Sequence, residues 1–168
     1  MTTVHTRKPD FAAVKKMAEK VLKENFISSP PVVASELAEA YGLEVVEIAF
    51  PPDYTHIAGL IDFGGNKIFV NADDSPTRRN FTIAHELGHY LLKHHEQDGG
   101  YTILLRNPDA MEQTHFEQEA TNFAANVLVP DVLLQKYLKD HPRITHSELA
   151  TIFGVPANVI RSQRLSLR

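Results

Sequence analysis

"KIFVNADDSPTRRNFTIAHELGHYLL" runs from Lys67 to Leu92, and its reading decides the fold. It opens as a short strand, Lys67–Asn71, and passes through "DDSP", where Asp74 or Ser75 can cap a helix that has Pro76 in its first turn. The helix then carries apolar residues around His85, Glu86 and His89. Positions four apart on a helix lie about 40° apart around the axis, so His85 and His89 face the same way and two imidazole nitrogens can reach one metal ion. Glu86 flanks that ion instead of binding it, where it can accept a proton from water. Gly88 costs the helix about 1 kcal/mol relative to alanine, and a missing side chain one position before a ligand predicts the close approach of another backbone.

Outward from this stretch, "HIAGLIDF" (His56–Phe63) and "KIFVN" form a hairpin through "GGN" (Gly64–Asn66), because glycine accepts positive φ. "LEVVEIAF" (Leu43–Phe50) reads as a third strand, ended by Pro51-Pro52. Upstream, Asp10 can cap a helix from Phe11 to about Asn25, "SSPP" breaks it, and "VVASELAEAYG" is a second helix stopped at Gly42. Downstream, residues 95–111 read as an irregular loop, either an ordinary surface connection or one that gates the cleft, with Gly99-Gly100 and exposed-looking Tyr101, Leu104 and Leu105. Helices follow from about Thr114 to Leu128 and from Asp131 to about Lys139, then a pair, "THSELATIFG" and "PANVIRSQRL". The expected architecture is α+β: a small three-stranded antiparallel sheet, the motif helix and additional C-terminal helices. One domain is expected over residues 1–168, with 1–9 a loose arm and 145–168 a helix-turn-helix-like pair packed on the core.

A catalytic zinc takes three protein ligands and keeps one position open. "FEQEATNFAANVLVP" (Phe116–Pro130) is the best source of the third, with Glu119 beside the apolar face formed by Phe116, Ala120, Phe123, Ala124, Val127 and Leu128. A metal is one thing that removes the cost of a buried carboxylate. Glu117, about 200° round the helix from Glu119, and Glu112 are the competitors. His94 and His95 sit near the helix C-terminus, where the dipole favours a cation, and are assigned structural or solvent-facing roles.

The chain has 168 residues, no cysteine and nine histidines, so a thiolate metal site or cysteine nucleophile is excluded and imidazole is the ligand to expect. There is no apolar h-region at the N-terminus and no apolar run near the ~20 residues that span a bilayer, so a cytoplasmic protein is expected. A net charge of −4 makes direct nucleic-acid binding a poor expectation. The rival reading is a DNA-binding or metal-bound regulatory protein acting through "ELATIFGVPANVIRSQR", where Ala150, Gly154 and Ile160 have helix-turn-helix spacing and Arg161 and Arg164 lie on the second helix. Pro156 and the paucity of basic residues count against it.

"RRNFTIAHELGHYLL" followed by "EQEATNFAANVLVP" resembles the ImmA/IrrE-type metallopeptidases of bacteria and their mobile elements. Members share a helix with HELGH and a later E-A-x-x-F-A-x-x-L-L-x-P segment. Here Glu119-Ala120, Phe123-Ala124, Leu128 and Pro130 stand in those places, with Val127 where leucine is common and Thr121 where asparagine is frequent. The resemblance covers about residues 31–160. It implies a zincin-like active-site helix, a Zn²⁺ (or Mn²⁺) ion held by His85, His89 and Glu119, and Glu86 as general base. It also implies a protein substrate, a helix-turn-helix repressor whose cleavage relieves repression of stress or mobile-element genes.

Overall fold

A computed structural model describes residues 7–94, 101–107 and 114–168. Helix α1 (Phe11–Glu24) starts at Asp10, whose side chain accepts from Ala13 N, and it buries Val14, Ala18 and Val21. Helix α2 (Ala34–Ala40) ends in a turn through Gly42 at φ 84°. Strands β1 (Glu44–Ile48), β2 (Ile57–Asp62) and β3 (Lys67–Asn71) precede α3 (Pro76–Leu91), and β4 (Tyr101–Leu105) follows it. Helices α4 (His115–Leu128), α5 (Asp131–Asp140), α6 (His146–Phe153) and α7 (Ala157–Ser166) complete the α+β fold.

The sheet has four strands in the order β1-β3-β2-β4, which corrects the three-stranded antiparallel expectation in two ways. First, Tyr101–Leu105, expected as part of a loop, pairs antiparallel with β2, Leu60 opposite Ile103. Second, β1 runs parallel to β3, with Val46 opposite Phe69, while the β2–β3 hairpin is antiparallel as read. "YTILL" shows no apolar–polar alternation and its partner lies some forty residues earlier, so no local signal marks it as a strand. Residues 95–100 and 108–111 of the expected loop lie outside the described residues, as do the competing acid Glu112 and residues 1–6 of the expected arm.

Helix α3 is the centre of the molecule, packed on β2 and β3 on one side and on α4 on the other. Ser75 caps it by accepting from Arg78 N, and Pro76 occupies its first turn. Residues Thr82 to His89 are all buried. Two glycines set how close its neighbours come. A Cβ at Gly59 of β2 would stand 2.5 Å from Thr82 Cγ2, and one at Gly88 would stand 2.9 Å from Phe123 Cδ1. Gly88 therefore admits an aromatic ring of α4, not the backbone that the sequence led us to expect. Asn80 holds the outer end of α3: its amide oxygen accepts from Ala34 N, and its amide nitrogen donates to Val32 O and Gly154 O.

The C-terminal pair is joined through Gly154 at φ 67°. Its second helix turns Val159, Ile160 and Gln163 inward, and the Gln163 amide donates to Ala125 O and Val129 O at the end of α4. The bond to Val129 O satisfies a carbonyl just past the last helical residue, and the bond to Ala125 O adds to the one that carbonyl accepts from Val129 N. Arg161 and Arg168 are exposed.

Gly88→Ala tests the packing of α3 on α4. Helix propensity alone would stabilise by about 1 kcal/mol, whereas overpacking a filled core costs about 1–3 kcal/mol. Thermal denaturation should show a net loss of stability, and the same substitution in a Phe123→Leu background should be neutral or stabilising. A higher Tm for Gly88→Ala in the otherwise unchanged chain would contradict the close contact.

Candidate metal centre

One turn of α3 separates His85 from His89, and their rings meet edge to face with centroids 4.9 Å apart. Their Nε2 atoms stand 3.2 Å from each other. Glu117 closes the group, with one carboxylate oxygen 3.0 Å from His85 Nε2 and the other 3.0 Å from His89 Nε2. Both histidines are 1% exposed. Glu117 comes from the first turn of α4, where the Thr114 side chain caps the helix by accepting from Glu117 N. Burial alone would push its carboxyl up. The hydrogen bonds with His85 and His89 outweigh that and hold it well below the usual carboxylate range.

His85, His89 and Glu117 each offer a ligand atom, all within 4.8 Å of one another. Tetrahedral zinc with bonds of about 2.0–2.1 Å to nitrogen places neighbouring donor atoms about 3.3 Å apart. The observed 3.2 Å and 3.0 Å separations fit that spacing. Two imidazole nitrogens and a carboxylate converging on one point is the donor chemistry of a divalent cation. Glu86, next to His85 on the helix, is completely buried.

Glu119 does not join this group. One of its oxygens lies 3.0 Å from His94 Nε2 and the other accepts from Asp10 N at 2.9 Å. The two acids diverge because two residues advance a helix by about 200°. Glu117 turns to the motif histidines, while Glu119 turns to the face where α1 arrives. A buried carboxylate at 119 did need compensation, as the sequence argued. A backbone N–H and an imidazole provide it here. The available signal was the N-cap: Thr114 as the cap puts Glu117 in the first turn, close to the helix N-terminus, which favours a negative charge.

His94, expected as a structural or solvent-facing residue, is 2% exposed. Its Nδ1 lies 2.8 Å from His89 Nδ1. Burial, then the neighbouring His89, lowers its pKa to about 4 against the opposing pull of Glu119, which leaves the ring neutral at neutral pH. His85 Nδ1 meets Thr121 Oγ1 at 3.2 Å. Arg79 donates to Ala72 O and Asp74 O, and Tyr137 packs edge-on against Phe153. Among the described residues no helix is long and apolar enough to cross a membrane.

Residues 38–166 match the family model of the IrrE N-terminal-like domain, a family of peptidases. Over 167 residues the chain is 27% identical to immunity region protein 2 of Bacillus phage phi105, covering 98% of this chain and 96% of that one. It is 26% identical over 98 residues to metallopeptidase ImmA of Bacillus subtilis strain 168, covering 58% of this chain and 56% of ImmA. Among solved structures, a Mycobacterium tuberculosis transcriptional regulator shares the fold with a TM-score of 0.60 at 18% identity. That match covers 92% of this chain and 47% of the regulator, so the chain spans about half its length. With three quarters of its residues inside the family model and the histidine pair of the motif facing a carboxylate, the chain belongs to the ImmA/IrrE family of metallopeptidases.

Proposed function

We propose that the protein is a zinc-dependent endopeptidase that cleaves a helix-turn-helix repressor. The observation that carries the reading is the convergence of His85 Nε2, His89 Nε2 and the Glu117 carboxylate, with Glu86 buried beside them. His85, His89 and Glu117 would hold Zn²⁺, or Mn²⁺ in its place. Glu117 takes the ligand position that was expected for Glu119. A bound divalent metal acidifies water and polarises a peptide carbonyl. Glu86 is the general base: it takes a proton from the attacking water and delivers it to the departing amine as the peptide bond breaks.

Strands β2 and β3 are interior, and among the described residues the sheet's edges are β1 and β4. Of these, β4 is the edge that packs on α3, and its Ile103 is 37% exposed. An extended peptide added to the outer edge of β4 gains main-chain hydrogen bonds there, with side-chain pockets supplying selection. Arg106, just beyond β4, is fixed to the start of α3 by an ion pair with Asp74 at 2.8 Å, and its carbonyl accepts from the Arg78 guanidinium. The edge strand and the motif helix therefore keep one spacing.

The repressor as substrate is supported by the family resemblance read from the sequence and by a relative named for a phage immunity region. A cytoplasmic site of action follows from such a substrate. The alternative, a DNA-binding role for the C-terminal pair, has less support: the inward face of α7 is committed to α4, and the net charge is −4.

Incubating the zinc-loaded chain with helix-turn-helix repressors from its own genome tests the reading. Glu86→Gln should bind zinc as well as the unaltered chain and lose at least about a hundredfold in cleavage rate. Cleavage undiminished in Glu86→Gln would contradict the assigned base, and DNA retardation without cleavage would favour the alternative. Glu117→Gln should lose tight zinc binding, because it removes one of three ligands. Zinc affinity unchanged by that substitution, measured by chelator competition, would remove Glu117 from the ligand set.

A further inference from the structure

We propose that His94 and Glu119 are positioning residues that lock His89 in the tautomer a metal needs, with its proton on Nδ1 and its lone pair on Nε2. The inference rests on the metal reading above and concerns residues outside the ligand set.

The argument is a count of protons along one buried chain. Glu119 accepts Asp10 N–H at one oxygen and faces His94 Nε2 with the other. A carboxylate held in this way only accepts, so His94 Nε2 carries a hydrogen. A His94 ring that carries its one hydrogen on Nε2 leaves Nδ1 a bare acceptor. His89 Nδ1, 2.8 Å away, must then donate to it. The remaining lone pair of His89 lies on Nε2, the atom that stands 3.2 Å from His85 Nε2 and 3.0 Å from Glu117. His85 is not constrained in this way, because its Nδ1 faces the Thr121 hydroxyl, which can donate or accept.

The backbone is built to deliver this contact. Helix α3 ends with Lys93 at φ 57°, in the left-handed region. Lys93 N–H donates to Tyr90 O at 3.2 Å and His94 N–H donates to His89 O at 3.0 Å. These are the two bonds of a Schellman turn, which folds the residue after the turn back over the last helical turn. Here that residue is His94, and it bonds the same His89 through both main chain and side chain. At the other end, the N–H of the α1 cap residue holds Glu119, so the relay runs from the start of α1 through α4 to α3.

Glu119→Gln is a pointed variant. Asp10 N–H and His94 Nε2 meet different oxygens of the carboxylate, and glutamine replaces one of those oxygens by an NH₂ donor, so it cannot accept from both. In the full chain, titrated with zinc against a chromophoric chelator, Glu119→Gln and His94→Leu should each weaken affinity by about 10–100-fold. The double variant should be no weaker than the worse single one, because both break the same relay. Variants that keep the far-UV spectrum and bind zinc within about twofold of the unaltered chain would overturn the inference while leaving the metal reading intact. If the unaltered chain takes up no zinc, the metal reading falls and takes this inference with it. A second measurement needs no variant: two-bond ¹H–¹⁵N spectra of the zinc-loaded chain should show His94 protonated at Nε2 and bare at Nδ1. A proton on His94 Nδ1 would overturn the relay even if the variants fail to fold.

Discussion

The close seating of α3 between the sheet and α4 is the constraint on which the rest of the structure depends. At Gly59 and Gly88 the neighbours approach to distances at which a Cβ would overlap Thr82 and the Phe123 ring. The contact at Gly59 sets the separation of α3 from the sheet, and the one at Gly88 sets its separation from α4. That separation is what lets a carboxylate in the first turn of α4 lie 3.0 Å from two imidazoles on α3. Interiors are close-packed and transmit small displacements, so a shift of α4 by the width of a methyl group would be felt at the donor atoms.

Around that seam the chain buries His85, Glu86, His89, His94 and Glu119. Five ionisable side chains in an interior are costly unless each has a partner. Here the costs are met in two tiers. The inner tier is the group that would hold a cation. The outer tier, His94 and Glu119, borrows a backbone N–H from Asp10 and so ties the first helix of the chain to the site. Helix α7 adds a similar brace from the other end, with Gln163 closing the C-terminus of α4. Both ends of the described chain thereby support the helix that carries Glu117.

What was legible in the sequence followed from local rules. The Asp10 and Ser75 caps, the Gly42 stop, the β2–β3 hairpin and the facing pair His85 and His89 all come from period and punctuation. What was not legible depends on distant partners. The strand at Tyr101–Leu105 is defined by β2, and the parallel pairing of β1 with β3 by a chain that first passes on to β2. Glu119 had the right burial for a ligand, but burial does not say which partner meets it. Here the partners that meet Glu119 are His94 Nε2 and Asp10 N, both distant in sequence from it. His94 was hidden for a local reason: a left-handed residue that is lysine, not glycine, gives no sign of the turn that folds it back.

The central claim is that His85, His89 and Glu117 are the metal's protein ligands. Anomalous diffraction at the zinc edge from crystals of the zinc-loaded chain tests it directly. The account predicts one strong peak about 2.0–2.1 Å from Nε2 of both histidines and about 2.0–2.2 Å from a Glu117 oxygen, with Glu119 still on His94. A peak bonded to Glu119, or to Nδ1 of either histidine, would contradict it.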